Sequence, residues 1–188
     1  MRLRGIPLLS VASALAIVLA SCDDDPFRID WEEAPDTVLL YSLARPELNL
    51  PSAFNLNQRR LVLIESPGAT GTWDIALDTQ EGGLVLLTPG AMGLESRARI
   101  TSVDGVTFDE VRKAPADTAA YTGVEPVPVE LGPIYIVQTG ETAGAFGTRC
   151  VYYAKLEALD IDVELGTLRF MFDSNPVCNS RDLVPPGD

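Results

Sequence analysis

The chain has 188 residues and not one histidine. Histidine is the common general base near neutral pH and a leading ligand for zinc, copper and haem. Its absence excludes triad hydrolases, histidine-based metal enzymes and bis-histidine haem proteins in their usual forms. Positive charge is scarce too: 14 Lys and Arg stand against 27 Asp and Glu, which argues against a nucleic-acid surface and its basic field. Lysine is confined to Lys113 and Lys155, so little is available for a Ser-Lys dyad. Gly68-Ala69-Thr70-Gly71 lacks the Gly-Lys-Ser/Thr that would follow in a phosphate loop, and it reads as a turn. Long apolar helical periodicity is missing as well: prolines recur throughout, and no window keeps a 3.6-residue repeat over three turns.

What is present begins with an address. Met1-Arg2-Leu3-Arg4 is a basic start, Ile6 to Leu19 an apolar stretch, and Leu19-Ala20-Ser21-Cys22 a small-residue cleavage site. The stretch is short for a membrane span, which needs roughly 20 residues, and acids follow it directly. Residues 1–21 therefore read as a signal peptide that is removed. Leu19-Ala20-Ser21-Cys22 resembles a bacterial lipobox, which implies lipidation of the Cys22 thiol, cleavage after Ser21 and acylation of the new amine. The partner implied is membrane lipid, reached through acylated Cys22. Two or more acyl chains give stable anchoring where one does not. Without Arg2 and Arg4, 12 basic groups face 27 acidic ones, a side-chain charge of −15.

Residues 22–36 read as an acidic tether, with seven acids and one arginine between Asp23 and Asp36. Asp23 resembles an inner-membrane retention signal of some Gram-negative bacteria, whereas the acid cluster resembles surface-export signals of Bacteroidota-type lipoproteins. Of the two, the outer membrane or cell surface is the expectation taken here. With Cys22 lipidated, Cys150 and Cys178 form an even pair in an exported chain, the arithmetic of one structural disulfide. They lack the C-x-x-C spacing of a redox pair, and closing their 29-residue loop contributes about 3.6 kcal/mol in the chain-entropy model.

Residues 37–188 read as a single β-domain with a loose tail from Asn179. Period-two patterns dominate it. Trp73, Ile75 and Leu77 are expected on one strand face, with Asp74 and Asp78 toward water. Val127, Val129 and Leu131 alternate with Pro126 and Pro128, which marks an edge strand. Further strands are expected over 37–41, 60–65, 83–87, 97–103 and 134–139, with Asp104-Gly105 as a hairpin turn. Between Thr148 and Asp173 lies a long hairpin turned at Gly166. Its apolar phase slips at Glu157-Ala158, the mark of a β-bulge, so that Leu159, Ile161 and Val163 point inward. In that hairpin Cys178 falls within about two residues of the position opposite Cys150. Thr107 and Glu110 form a capping box for one short helix, from Phe108 to about Lys113, that Pro115 ends. Residues 140–147 read as a mobile loop. The fold class is all-β: an antiparallel sandwich or partly closed barrel of about ten short strands with one short helix.

Ordered motifs carry one further resemblance. They are Trp73-Asp74-Ile75-Ala76-Leu77, Phe108-Asp109-Glu110-Val111, Gly132-x-Ile134-Tyr135-Ile136-Val137-x-Thr139, Tyr153-Ala154-Lys155-Leu156 and Gly166-Thr167-Leu168-Arg169-Phe170-Met171-Phe172. Over residues 60–173 the chain resembles the HmuY-type lipoproteins, β-rich surface or secreted proteins whose best-known members scavenge haem. The family's haem sites use paired histidines, or methionines in some relatives. Only Met92 and Met171 follow the cleavage site here, so no functional residue carries over.

The expected function is a membrane-anchored, exported, non-catalytic binding or surface-interaction domain with no cofactor. One alternative is haem, porphyrin or other small-ligand capture through Met92 or Met171. Another is a carboxylate-based hydrolase of envelope carbohydrate, since a two-acid glycosidase needs no histidine. Asp160 and Asp162 share a strand face near a turn but lack calcium-loop spacing, and they read as solvent-facing acids. Trp73, Phe108, Tyr135, Tyr152, Phe170 and Phe172 are expected in the core, and Tyr121 and Phe146 as exposed contact residues.

Overall fold

A computed structural model describes residues 31–186. The signal segment, Cys22 and the tether through residue 30 lie outside them. Two five-stranded antiparallel sheets face each other and do not close, so the fold is a sandwich rather than a barrel. One sheet carries, in spatial order, β1 (Asp36–Tyr41), β12 (Thr167–Ser174), β11 (Tyr153–Asp162), β8 (Ile134–Gln138) and β6 (Arg99–Val103). The other carries β3 (Arg60–Val62), β2 (Ala53–Asn55), β4 (Ile75–Gln80), β5 (Gly83–Leu87) and β7 (Val127–Pro128). A small ribbon of β9 (Thr142–Ala143) and β10 (Arg149–Cys150) stands beside them.

Side-chain alternation divides the apolar residues into three layers. Ile75, Leu77, Leu84 and Leu86 from one sheet meet Tyr135, Val137, Leu156, Phe170 and Phe172 from the other in the central core. Their neighbours in sequence point outward. Ala76, Val85 and Leu87 join Trp73 and Val62 on one outer face, while Ile134, Ile136 and Tyr153 join Phe108, Val111 and Leu183 on the other. Phe54 of β2 crosses the core to meet the rings of Phe170 and Phe172 edge-on, with centroids 5.9 and 4.8 Å away. Burying such a ring contributes about 2–3 kcal/mol beyond leaving it in water. Tyr135 enters the same core because its hydroxyl finds partners: it accepts from the Glu130 N–H at 2.8 Å and donates to the Pro128 carbonyl at 2.9 Å.

The long hairpin forms, with its slip just past the expected Glu157-Ala158. Register is regular from Ala154↔Ser174 to Ala158↔Phe170 and resumes at Asp160↔Arg169, leaving Leu159 as the extra residue. The bulged Leu159 and the turn residue Val163 are exposed, correcting their expected inward orientation, and Ile161 only partly packs on the core. Carried back by the same register, Cys150 falls opposite Cys178. The two are joined by a disulfide with Cα atoms 5.0 Å apart. β7 lies at a sheet edge beside β5, as its prolines require.

Four other expectations are corrected. Asp104-Gly105 turns the chain, with Gly105 at φ 72°, but makes no hairpin: β6 pairs with β8, and the chain leaves for the other sheet. No helix forms over 108–113; the segment is a single turn. Glu110 still reaches back to the Thr107 N–H at 2.8 Å, but the carbonyls a helix would use are taken elsewhere. Phe108 and Val111 accept from the Lys155 ammonium at 2.9 and 3.4 Å, and Arg112 accepts from the Leu183 N–H at 2.8 Å. The tail is docked by that same pairing, with Leu183 and Val184 buried. Of residues 140–147, read as a mobile loop, Thr142–Ala143 form β9 and pair with β10.

The start of the domain is fastened as well. The Ala34 N–H donates to Asp173 at 3.2 Å, and Arg59 pairs with the same carboxylate at 3.1 Å while donating to the Ala34 carbonyl.

Candidate functional site

At one end of the sandwich, loops from both sheets close around a cleft of about 460 Å³. This lies within the size range of small-molecule sites, roughly 300–1,000 Å³. Asp74 forms its floor. The residue precedes β4, and its side chain turns under the neighbouring loops, with only 5% of its surface exposed. One carboxylate oxygen accepts from the Leu56 N–H at 2.9 Å and the other from the Gly140 N–H at 3.0 Å. One carboxylate thus ties the β2–β3 connection to the end of β8 in the opposite sheet. Burial pushes its pKa up from the ordinary 3.8, and the two N–H donors offset part of that rise.

The walls carry the charge. Gln138, itself buried, donates to the Arg97 carbonyl at 3.3 Å and accepts from the Tyr153 hydroxyl at 3.2 Å, which fixes the strand approaching β6. Arg149 stands on β10, whose next residue is the disulfide-bonded Cys150. Gly144 lets the ribbon close, because a Cβ there would overlap the Cys150 sulfur and the Thr148 hydroxyl. Between the two arginines lies Glu141. Its Oε1 is 3.0 Å from Arg97 Nη1, and its Oε2 is 3.3 Å from Arg149 Nη1. Both guanidinium side chains are mostly exposed, at 65% and 76%. Glu95, Ser96 and Thr142 complete the rim.

The residues singled out from the sequence fall mostly elsewhere. Cys22 lies outside the described residues. Cys150 and Cys178 brace the cleft wall from behind. Asp160 faces Arg169 at 3.7 Å and Asp162 accepts from the Leu165 N–H at 2.7 Å; among the described residues no group of three or more potential metal-ligating side chains converges. Met92 sits on a short turn beside the second sheet, and Met171 packs on the outer face of the first. Tyr121 is not an exposed contact: its hydroxyl donates to the Pro115 carbonyl at 3.2 Å, and burial raises its pKa to about 12. Phe146 is exposed, as expected. Tyr152 is only half-buried, whereas Phe54, which the strand patterns do not single out, is central.

The cleft residues escaped sequence reasoning for a physical reason. Asp74 alternates with Trp73 and Ile75 as a solvent-facing acid would, and nothing local shows that two distant N–H groups await it. Arg97, Glu141 and Arg149 meet only through tertiary pairing.

No known family model matches the chain, and no curated protein matches it.

Proposed function

We propose that this chain is an exported lipoprotein, anchored through acylated Cys22, whose sandwich is a non-catalytic binding module for a small polar ligand. The observation that carries the binding reading is the loop-end cleft: loops of two sheets cross-tied by one buried carboxylate, with paired charges on the wall. Loops on a rigid scaffold are where β-sandwiches place recognition. The disulfide suits an oxidising compartment outside the cytoplasm, and the acidic tether after Cys22 suits a domain held off a membrane surface. Binding is favoured over hydrolysis because two of the three acids lining the cleft, Asp74 and Glu141, are already engaged. Both Asp74 oxygens accept backbone N–H groups, and Glu141 is held between two arginines.

Two measurements test this. In cells that process lipoproteins, the wild-type chain should fractionate with membranes and yield an N-terminal acylated peptide beginning at Cys22, and Cys22→Ala should remove both. A thermal-shift screen with sugars, amino acids and organic acids should raise the melting temperature of the wild type. An unmodified Cys22 overturns the anchor, and a library that leaves the melting temperature unmoved overturns the binding cleft.

A further inference from the structure

Glu141 occupies a position that suggests what else could sit there. Its carboxylate lies between two guanidiniums and touches each through one nitrogen only, at 3.0 and 3.3 Å. Arginine presents five N–H donors in a planar fork suited to carboxylates. Single-nitrogen contacts leave most of both forks unused by Glu141. Exposed ion pairs of this kind are worth only about 0–1 kcal/mol, so a ligand carboxylate can share the forks or displace the glutamate at little cost. The remaining lining mixes polar and apolar groups: Glu95, Ser96 and Thr142 stand on the rim, with Asn55 and Trp73 beside them. The polar groups match hydroxyls. Asp74 is nearly closed off from solvent and spends one lone pair of each oxygen on a backbone N–H donor.

We propose that the cleft takes a carboxylate-bearing sugar, its carboxylate gripped by Arg97 and Arg149 and its hydroxyls by the rim, with Glu141 as the internal stand-in for that carboxylate. This rests on the binding reading above and specifies its ligand class. A volume of about 460 Å³ accommodates one or two sugar rings.

The test uses the purified full chain with its disulfide intact, titrated calorimetrically with D-glucuronate, D-glucuronamide, D-glucose and putrescine. Glucuronate should bind, and the amide, which lacks only the charge, should bind at least about tenfold more weakly. Arg97→Gln and Arg149→Gln should each weaken glucuronate by about tenfold while leaving thermal unfolding unchanged, because both side chains are largely exposed. Glu141→Gln is the discriminating variant: removing the stand-in should tighten glucuronate by about three- to tenfold and leave the amide unchanged. Equal binding of glucuronate and its amide, or weaker glucuronate binding in Glu141→Gln, overturns the proposal. Binding of glucose or putrescine without glucuronate also overturns it but leaves the binding reading standing. If none of the four binds, this ligand class falls, and the binding reading then stands or falls on the broader thermal-shift screen.

Discussion

Asp74 shows how much one side chain can organise. Its two oxygens satisfy the buried Leu56 N–H and the part-buried Gly140 N–H, on loops of different sheets; a buried N–H left unpaired costs about 1–3 kcal/mol. Asparagine in its place keeps one acceptor oxygen and turns an N–H toward the other donor. Asp74→Asn should therefore destabilise the fold by about 1–3 kcal/mol in urea unfolding at neutral pH. The pH dependence has a definite sign. Because burial raises the folded-state pKa above 3.8, the native state holds its proton longer than the unfolded chain does. The stability Asp74 contributes is full below 3.8 and declines as the pH rises through the raised value. The advantage of the wild type over Asp74→Asn should accordingly shrink from acid toward neutral pH. An advantage that grows over that range would show that the carboxylate is stabilised as the anion.

At the scale of elements, the segment 107–114 shows why a good local signal failed. Thr107 and Glu110 make the hydrogen bond a capping box asks for, yet only one turn forms. A helix needs its own carbonyls, and here a buried ammonium and the C-terminal segment around Leu183 compete for them. Lys155 is fully buried on β11, lies 4.4 Å from the centre of the Phe108 ring, and binds the Phe108 and Val111 carbonyls. Glu33, from the start of the domain, approaches within 3.8 Å. Lys155→Met preserves the volume but leaves those carbonyls without a donor. It should cost about 2–4 kcal/mol by denaturant titration, with the loss of protection in hydrogen exchange centred on 106–114 and 181–184. Burial lowers the Lys155 pKa below 10.5, so the wild type gains stability as the pH rises toward 10.5, and the methionine variant should lack that gain. A stability equal to wild type at neutral pH would mean that the ammonium only breaks even against its own desolvation.

For the whole molecule, stability and site geometry meet at the disulfide. It closes the open end of the β11–β12 hairpin and holds β10 beside the cleft. A domain of this size has a net stability of about 5–15 kcal/mol, so a bond worth about 2–4 kcal/mol is a large share. The Cys150→Ser, Cys178→Ser double variant should lose that much in guanidinium unfolding and should become insensitive to reductant. A wild type whose unfolding midpoint is unchanged by reductant would overturn the structural role of the bond.

The sequence alone determined whatever depends on neighbours in the chain. Period-two alternation set the strands and the all-β class, a phase slip at Glu157-Ala158 placed a bulge within two residues of Leu159, prolines put β7 at an edge, and register arithmetic brought Cys178 within about two residues of the position opposite Cys150. Tertiary structure decided what depends on distant partners competing for the same groups. It turned Asp74 inward, where two N–H donors from separate loops offset part of the cost of burying a carboxylate. It undid the helix at Phe108, because Lys155 took the carbonyls. It brought Arg97, which precedes β6, against Glu141 and Arg149 at the β9–β10 ribbon. Electrostatic and hydrogen-bonding partners are chosen by spatial proximity, and a linear pattern records proximity only along the chain.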